Sequence, residues 1–163
     1  MHTLLTVDPG SDQIDYAVFC ETKLVAVGVL YGSLHSLSRQ LGAMLAHHKP
    51  DQVVVEVPQI YQPRLQHGDQ NDLIDVAIIT GLVVASASKH CTAEIVHPHT
   101  WKGNRPKNID NVLTMLILSL TEQSVIHNCG VKKSKLHNIL DAVGIGLRTL
   151  NRSNNLNLDK CIK

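Results

Sequence analysis

The first thirty residues alternate apolar and polar positions with the short period of β-strands. Three runs rich in Val, Leu and Ile follow one another closely, separated by a Pro-Gly turn and a Glu-Thr-Lys turn. Connections of this length join antiparallel neighbours, so the pattern predicts a meander of three strands. The predicted strands span residues 3–8, 14–20 and 23–30.

After residue 32 the apolar positions recur with the longer period of helices, interrupted by two further short apolar runs. Ser33 is a candidate N-cap for a helix that Lys49-Pro50 ends. VVVEV at 53–57 follows this helix, so it should be a buried strand parallel to its neighbour. The remaining predicted elements are a polar loop at 58–70, a helix at 71–88, a strand at 93–97, a basic loop at 98–107, a helix from 110 to about 120, a Lys-rich link and a last helix from about 134 to 150. This order predicts an α/β fold, in which a mixed five-stranded sheet carries helices on both faces.

The composition fits one globular domain and limits its partners. The chain has 163 residues, of which 44% are hydrophobic and 18% charged, and its net charge is +1. This length is enough for one core, and the composition excludes a disordered chain. A polyanionic partner would have to meet a local basic patch, because no global field attracts it. We expect one domain over residues 1–150 and a flexible tail over 151–163.

Two features bear on the compartment. The apolar stretch 73–87 contains Asp75 and Thr80 and is too short to span a bilayer, so membrane insertion is not expected. The four cysteines form no CxxC pair, and no signal peptide precedes the first strand. We therefore expect reduced thiols in a cytoplasmic protein.

Two acids end neighbouring predicted strands. Asp8 closes the first strand at the Pro-Gly turn, and Glu56 lies near the end of the fourth. One strand-end acid usually caps a turn or faces water, and we expect that of Asp12 and Asp15. Two acids on adjacent central strands need a cation or a donor, because burying an ionised carboxylate is costly. Carboxylate oxygens suit Mg²⁺, so a divalent ion is the natural candidate.

A third acid lies on the last predicted helix. Asp141 is followed by Gly144 and Gly146, two helix-weakening residues with no turn to explain them. Small residues at these positions would let the helix approach the sheet and bring Asp141 towards Asp8.

These segments resemble a known family. The turn VDPGS (7–11), the strand VVVEVP (53–58) and the helical HNILDAVGIG (137–146) are similar to RuvC-type Holliday junction resolvases of the RNase H-like superfamily, over roughly residues 3–150. HPHTWKGNRPK (97–107) resembles a loop of phage-encoded members. The resemblance implies a single RNase H-like nuclease domain, whose sheet combines three antiparallel meander strands with two parallel ones.

The resemblance also implies site residues and a chemistry. Asp8, Glu56 and Asp141 match three metal-binding acids of the family, which hold two Mg²⁺ or Mn²⁺ ions and cut a DNA phosphodiester with water. Asp8 would bridge the two ions. The fourth position is an acid or a histidine in the family, whereas here it is Asn138, with His137 beside it. Either Asn138 is a weak ligand or His137 supplies the fourth function by orienting water or the phosphate.

Basic residues near the acids are candidates for DNA contact. They form two groups, one on the basic loop at 98–107 and one leading into the last helix, and a looser pair follows Glu56. The candidates are Lys102, Arg105, Lys107, Lys132, Lys133 and Lys135, together with Tyr61 and Arg64 for the junction crossover. Trp101, the only tryptophan, is expected to anchor its loop in the core rather than to stack on a base.

Resolvases of this family act as homodimers, which directs attention to the helix at 71–88. Its small residues Ala77, Gly81 and Ala85 recur every four positions, so two copies of the helix could pack closely. We therefore expect a homodimer that binds four-way DNA junctions.

Other readings stay open on sequence alone. Another RNase H-like nuclease, acting on flaps, forks or hybrids, would have the same fold and the same metals. A D-x-G-S turn between strands also cradles phosphate in actin-like and sugar-kinase-like ATPases. The departure at Asn138 leaves room for a catalytically inactive junction-binding protein.

Overall fold

The structure is a computed structural model that describes residues 1–59, 70–103 and 106–152, with the backbone alone at residues 70, 107 and 108. Its strands are β1 (Thr3–Pro9), β2 (Gln13–Cys20), β3 (Lys23–Tyr31), β4 (Gln52–Glu56) and β5 (Thr92–Val96). Its helices are α1 (Leu34–His48), α2 (Gln70–Ala87), α3 (Pro98–Trp101), α4 (Lys107–Ile117), α5 (Leu120–His127) and α6 (Leu136–Thr149), and a 3₁₀ turn (Lys133–Lys135) precedes α6.

The strands form one mixed sheet in the order β3-β2-β1-β4-β5. The pairs β1–β2 and β2–β3 are antiparallel, and β1–β4 and β4–β5 are parallel. This arrangement confirms the predicted α/β fold, with its three meander strands and two parallel strands.

Alternate side chains of the sheet enter two separate cores. On β1, Leu5 and Val7 join the core formed with α1 and α2, whereas Leu4 belongs to the core formed with α4, α5 and α6. Thr6 faces the same side as Leu4, because its hydroxyl donates to the Ala142 carbonyl of α6 at 2.7 Å. The period of two then puts Asp8 on the α6 side as well.

Helix α6 lies close against the sheet, and its glycines make this possible. A Cβ at Gly146 would overlap the Phe19 ring on β2, and a Cβ at Gly144 would come within 2.5 Å of the Trp101 ring. The close approach expected from these two glycines is therefore confirmed.

The structure differs from the sequence-based elements between the basic loop and the last helix. The expected loop at 98–107 contains the short helix α3, and α4 begins at Lys107. Helix α5 lies where a Lys-rich link was expected, and its capping box was visible in the sequence as Ser119 and Glu122.

None of the helices in the described ranges is both long and apolar enough to cross a membrane.

The carboxyl end of the domain is tied to this capping box. Arg152 donates to Glu122 Oε1 at 2.5 Å and to Oε2 at 3.0 Å, and also to the carbonyls of Thr22 and Ile117. The tail was expected from Asn151, but the chain remains attached for at least one residue beyond it. The rest of the expected tail, 153–163, lies outside the described residues.

Candidate active site

Three acids stand side by side on the α6 face of the sheet. Asp8 at the end of β1 pairs directly with Asp15 on β2. On the other side of β1, Val7 pairs with Val55 of β4, so Glu56 follows one step beyond. We call Glu56, Asp8 and Asp15 the acid row, which crosses the three central strands β4, β1 and β2.

Asp141 faces the acid row from helix α6. The Thr6–Ala142 hydrogen bond fixes α6 against β1 two residues before Asp8, and Asp141 is only 4% exposed. Burial, followed by the charges of Glu56, Asp141 and Asp15, raises the pKa of Asp8 well above its ordinary value. The fold therefore concentrates negative charge at one half-buried carboxylate, an arrangement typical of functional sites.

Asp15 corrects an expectation from the sequence. It was assigned to the solvent face, but it is 2% exposed and accepts a hydrogen bond from the Gln13 side chain. The register across the turn puts Asp15 opposite Asp8, whereas Asp12 within the turn is exposed as expected. The sequence signal was an acid in an otherwise apolar strand, and its face could be assigned only once the hairpin register was known.

Glu56 is held from the side of β5 by the segment after α3. The Trp101 indole N–H donates to Glu56 Oε2 at 2.5 Å, and Lys102 Nζ lies 3.9 Å from the same oxygen. Trp101 is buried, in agreement with its expected role as an anchor. Lys102 is folded inward onto Glu56, and its charge partly offsets the raised pKa of Asp8. Its expected contact with DNA stays a prediction.

The donor types suit a hard divalent cation, but their arrangement does not yet form a ligand set. Asp8, Glu56 and Asp141 offer carboxylate oxygens, as Mg²⁺ requires. Across residues 1–59, 70–103 and 106–152, however, no three His, Cys, Asp or Glu side chains are grouped so as to hold a metal ion. In this structure Trp101 and Lys102 both contact Oε2 of Glu56.

His137 and Asn138 lie in the first turn of α6, and both are half-buried. Within the part of the chain that the structure describes, the charges that act on Asp8 come from Glu56, Asp141, Asp15 and Lys102. A role for His137 or Asn138 as the fourth site residue stays a prediction.

The second basic group lies beyond the other end of the acid row. Lys132, Lys133 and Lys135 are exposed on the segment that leads into α6. Lys132 and Lys135 line a cavity of about 640 Å³ together with Tyr16 and Tyr31. Val29, which pairs with Asp15 in the sheet, lines the same cavity, so the cavity adjoins the acid row.

Several candidate residues cannot be placed. Tyr61, Arg64 and Arg105 lie outside the described residues, and Lys107 begins α4 with only its backbone described.

On α2, Ala77, Gly81 and Ala85 are exposed, next to the exposed Ile74 and Ile78. Helix α2 thus presents an apolar face of small residues to solvent.

Comparison by sequence finds no protein-family model and no curated protein that matches the chain. Comparison by fold finds solved resolvases. Thermus thermophilus RuvC, in complex with a Holliday junction substrate, matches with a TM-score of 0.67 and 17% identity, over 90% of this chain and 92% of that one. A second T. thermophilus RuvC structure matches with a TM-score of 0.62 and 17% identity, over 89% of this chain and 91% of that one. The yeast mitochondrial Holliday junction resolvase Ydc2 matches with a TM-score of 0.57 and 11% identity, over 93% of this chain and 80% of that one. The chain therefore has the RNase H-like fold of the RuvC structures, as its motifs predicted.

Proposed function

We propose that this protein is a metal-dependent, structure-selective DNA endonuclease that resolves four-way junctions by paired symmetric nicks. The observation that carries the proposal is the crowding of acids around Asp8 on a sheet with the RuvC fold. Burying several carboxylates together opposes folding unless a cation joins them. A cation required for the chemistry is the best explanation for a cluster of carboxylates on the central strands.

In this proposal Asp8, Glu56 and Asp141 are the residues that would hold the divalent ions. Bound there, the metal would supply Lewis-acid activation of water and neutralisation of the leaving oxygen. Asp15 faces Asp8 from β2 and adds to the negative charge that attracts cations. His137, one turn before Asp141, is a candidate for orienting water or the phosphate.

The substrate assignment is supported by described lysines at both ends of the acid row. Lys102 lies on the β4 side, and the exposed Lys132 and Lys135 lie on the β3 side beside Tyr31. A strand whose phosphates contact lysines on both sides would cross the acid row between them. T. thermophilus RuvC, which shares the fold, has been captured with a Holliday junction, and by this likeness we assign branched DNA as the substrate.

The test is cleavage of a synthetic four-way junction with Mg²⁺. The protein should place one nick in each of two opposing strands, and Asp8→Asn or Asp141→Asn should abolish both nicks. Asp12→Asn is the matched control, because Asp12 lies in the same turn but is exposed. Binding of the junction without nicking, in either Mg²⁺ or Mn²⁺, would contradict the nuclease assignment.

Other substrates define the remaining outcomes. Equal cutting of linear duplex, flap and junction would retain a nuclease but reject a resolvase. ATP turnover without nicking would favour the kinase-like alternative. Comparison of these DNA forms at one salt concentration is essential, because phosphate contacts make affinity strongly salt-dependent.

We further propose a homodimer formed through α2, since two symmetric nicks need two active sites. A Cβ at Gly81 meets open space, so Gly81→Leu should leave the monomer intact and block close helix packing. Gly42→Leu on α1 is the control, because its Cβ also meets open space. Light scattering after size exclusion should give a dimer for the wild type and for Gly42→Leu, and a monomer for Gly81→Leu. A monomeric wild type would reject the dimer.

A further inference from the structure

The Trp101 side chain joins the two elements that carry the acids. Its indole N–H donates to Glu56 on β4, and its ring fills the space left by Gly144 on α6, three residues after Asp141. The side chain is only 6% exposed. A large ring held on both sides in this way keeps the carboxylate of Glu56 in one orientation.

Lys102 follows directly and adds a cation to the same carboxylate. Its Nζ lies 3.9 Å from Glu56 Oε2 and 4.8 Å from the centroid of the Trp101 ring, and its side chain is 24% exposed. Its position combines an ion pair with a cation–π contact. The exposed lysines before α6 have a different setting, open to solvent.

The charges around Asp8 are unbalanced even with this lysine. Among the described residues, the charges acting on Asp8 come from three carboxylates and from the ammonium group of Lys102. A divalent ion would meet a strong attraction from the acids and repulsion from Lys102. The ammonium group and the ion therefore compete for the same carboxylate oxygens.

Building on the proposed function, we infer that Trp101 is a positioning residue for Glu56 and that Lys102 is an internal counter-cation, which a divalent ion displaces when it binds to the acid row. The two residues then act in opposite directions on metal affinity. The Trp101 N–H donates a neutral hydrogen bond that preorganises a ligand, and loss of such an outer partner weakens metal binding. Lys102 opposes the ion by its charge, and after displacement its ammonium group is available to the DNA phosphate.

The test measures Mn²⁺ binding without DNA, from the loss of the free-ion signal in electron paramagnetic resonance. Lys102→Gln should lower the Mn²⁺ concentration at half-saturation, the binding midpoint, at least about threefold, because the competing charge is gone. Trp101→Phe keeps a ring against Gly144 but lacks the N–H, and it should raise the midpoint about tenfold or more. Lys23→Gln, an exposed lysine at the far end of the sheet, should leave the midpoint unchanged.

Trp101 also reports on the displacement directly, since it is the only tryptophan in the chain. Saturating Mg²⁺ should shift its emission in the wild type, as the ammonium group leaves the ring, and should shift it less in Lys102→Gln. Circular dichroism establishes that each variant is folded.

The outcomes separate this inference from the proposed function. Three results would overturn the inference while leaving junction nicking intact. They are an unchanged or raised midpoint in Lys102→Gln, an unchanged midpoint in Trp101→Phe, and a tryptophan emission that does not change when Mg²⁺ is added. A wild type that binds no Mn²⁺ and nicks no junction would overturn both.

Discussion

Replacing Asp8 by Asn should stabilise the metal-free protein while removing its proposed activity. Burial and the charges of Glu56, Asp141 and Asp15 raise the pKa of Asp8, so its ionised form destabilises the native state. Each unit of such a shift corresponds to about 1.4 kcal/mol. Asparagine has the same shape without the charge, so we expect Asp8→Asn to be more stable than the wild type at pH 8, by more than the roughly 0.5 kcal/mol that bounds ordinary surface substitutions. For a chain of this length, each kcal/mol of added stability raises Tm by roughly 2–4 °C.

The pH dependence gives the sign of the effect. Below the pKa of an aspartate in the unfolded chain, about 3.9, the Asp8 carboxyl is protonated in both states and the variant has no advantage. As the pH rises, the unfolded state releases its proton first and the wild type loses stability until the raised native pKa is passed. The advantage of Asp8→Asn should therefore be near zero at about pH 3.5, grow as the pH rises, and reach a plateau once the raised native pKa is passed.

The assay is urea unfolding of both proteins with EDTA, at several pH values. Asp12→Asn is the control and should remain within about 0.5 kcal/mol of the wild type, since Asp12 is exposed. A gain of equal size at pH 3.5 and pH 8 would mean that charge is not its cause, and no gain at any pH would refute the reasoning. Under the proposed function, adding Mg²⁺ should stabilise the wild type alone and reduce the difference.

Three further predictions test the packing, the capping network and the basic group. Gly146→Ala should lower the free energy of unfolding by about 1–3 kcal/mol, because its Cβ would overlap a phenyl ring of β2. Gly42→Ala, at an open helical position, should raise it by up to about 1 kcal/mol in the same urea titration. Burial opposes ionisation of Glu122, but hydrogen bonds, chiefly from Arg152, outweigh it and lower the pKa of Glu122 to about 2. Glu122→Gln should therefore be less stable than the wild type at pH 7. This difference in the free energy of unfolding should vanish as the pH falls from above 4.5 through about 2. The double change Lys132→Gln with Lys135→Gln should reduce the slope of log affinity for the junction against log salt by up to about 2, measured by fluorescence anisotropy.

The sheet could be read from the sequence because its signals are local. Short turns specify the antiparallel meander, and a helix between apolar runs specifies a parallel crossover. The same signals put Asp8 and Glu56 at the ends of adjacent strands. The signal missed was also local, since Ser119 and Glu122 form a capping box that marks the start of α5.

The contacts that complete the candidate site are not local, and this is why the sequence did not reveal them. The face of Asp15 depends on the hairpin register, which a turn of four residues leaves open. The inward position of Lys102 depends on the seat of the Trp101 ring against Gly144. Charge runs such as the one containing Lys102 usually face solvent, and only the packed structure distinguishes an ammonium group folded onto a carboxylate from an exposed one.

The strand register links the fold to the site. On β1, Leu5 and Val7 belong to one core, and Thr6 contacts α6 on the other side. A slip of one residue would turn Asp8 towards the apolar α1–α2 core and Val7 towards Asp141. The burial of an ionised carboxylate among apolar side chains opposes that slip. The acid that destabilises the native state through its raised pKa therefore also disfavours the nearest wrong register, so Asp8→Asn should gain stability at the expense of this discrimination.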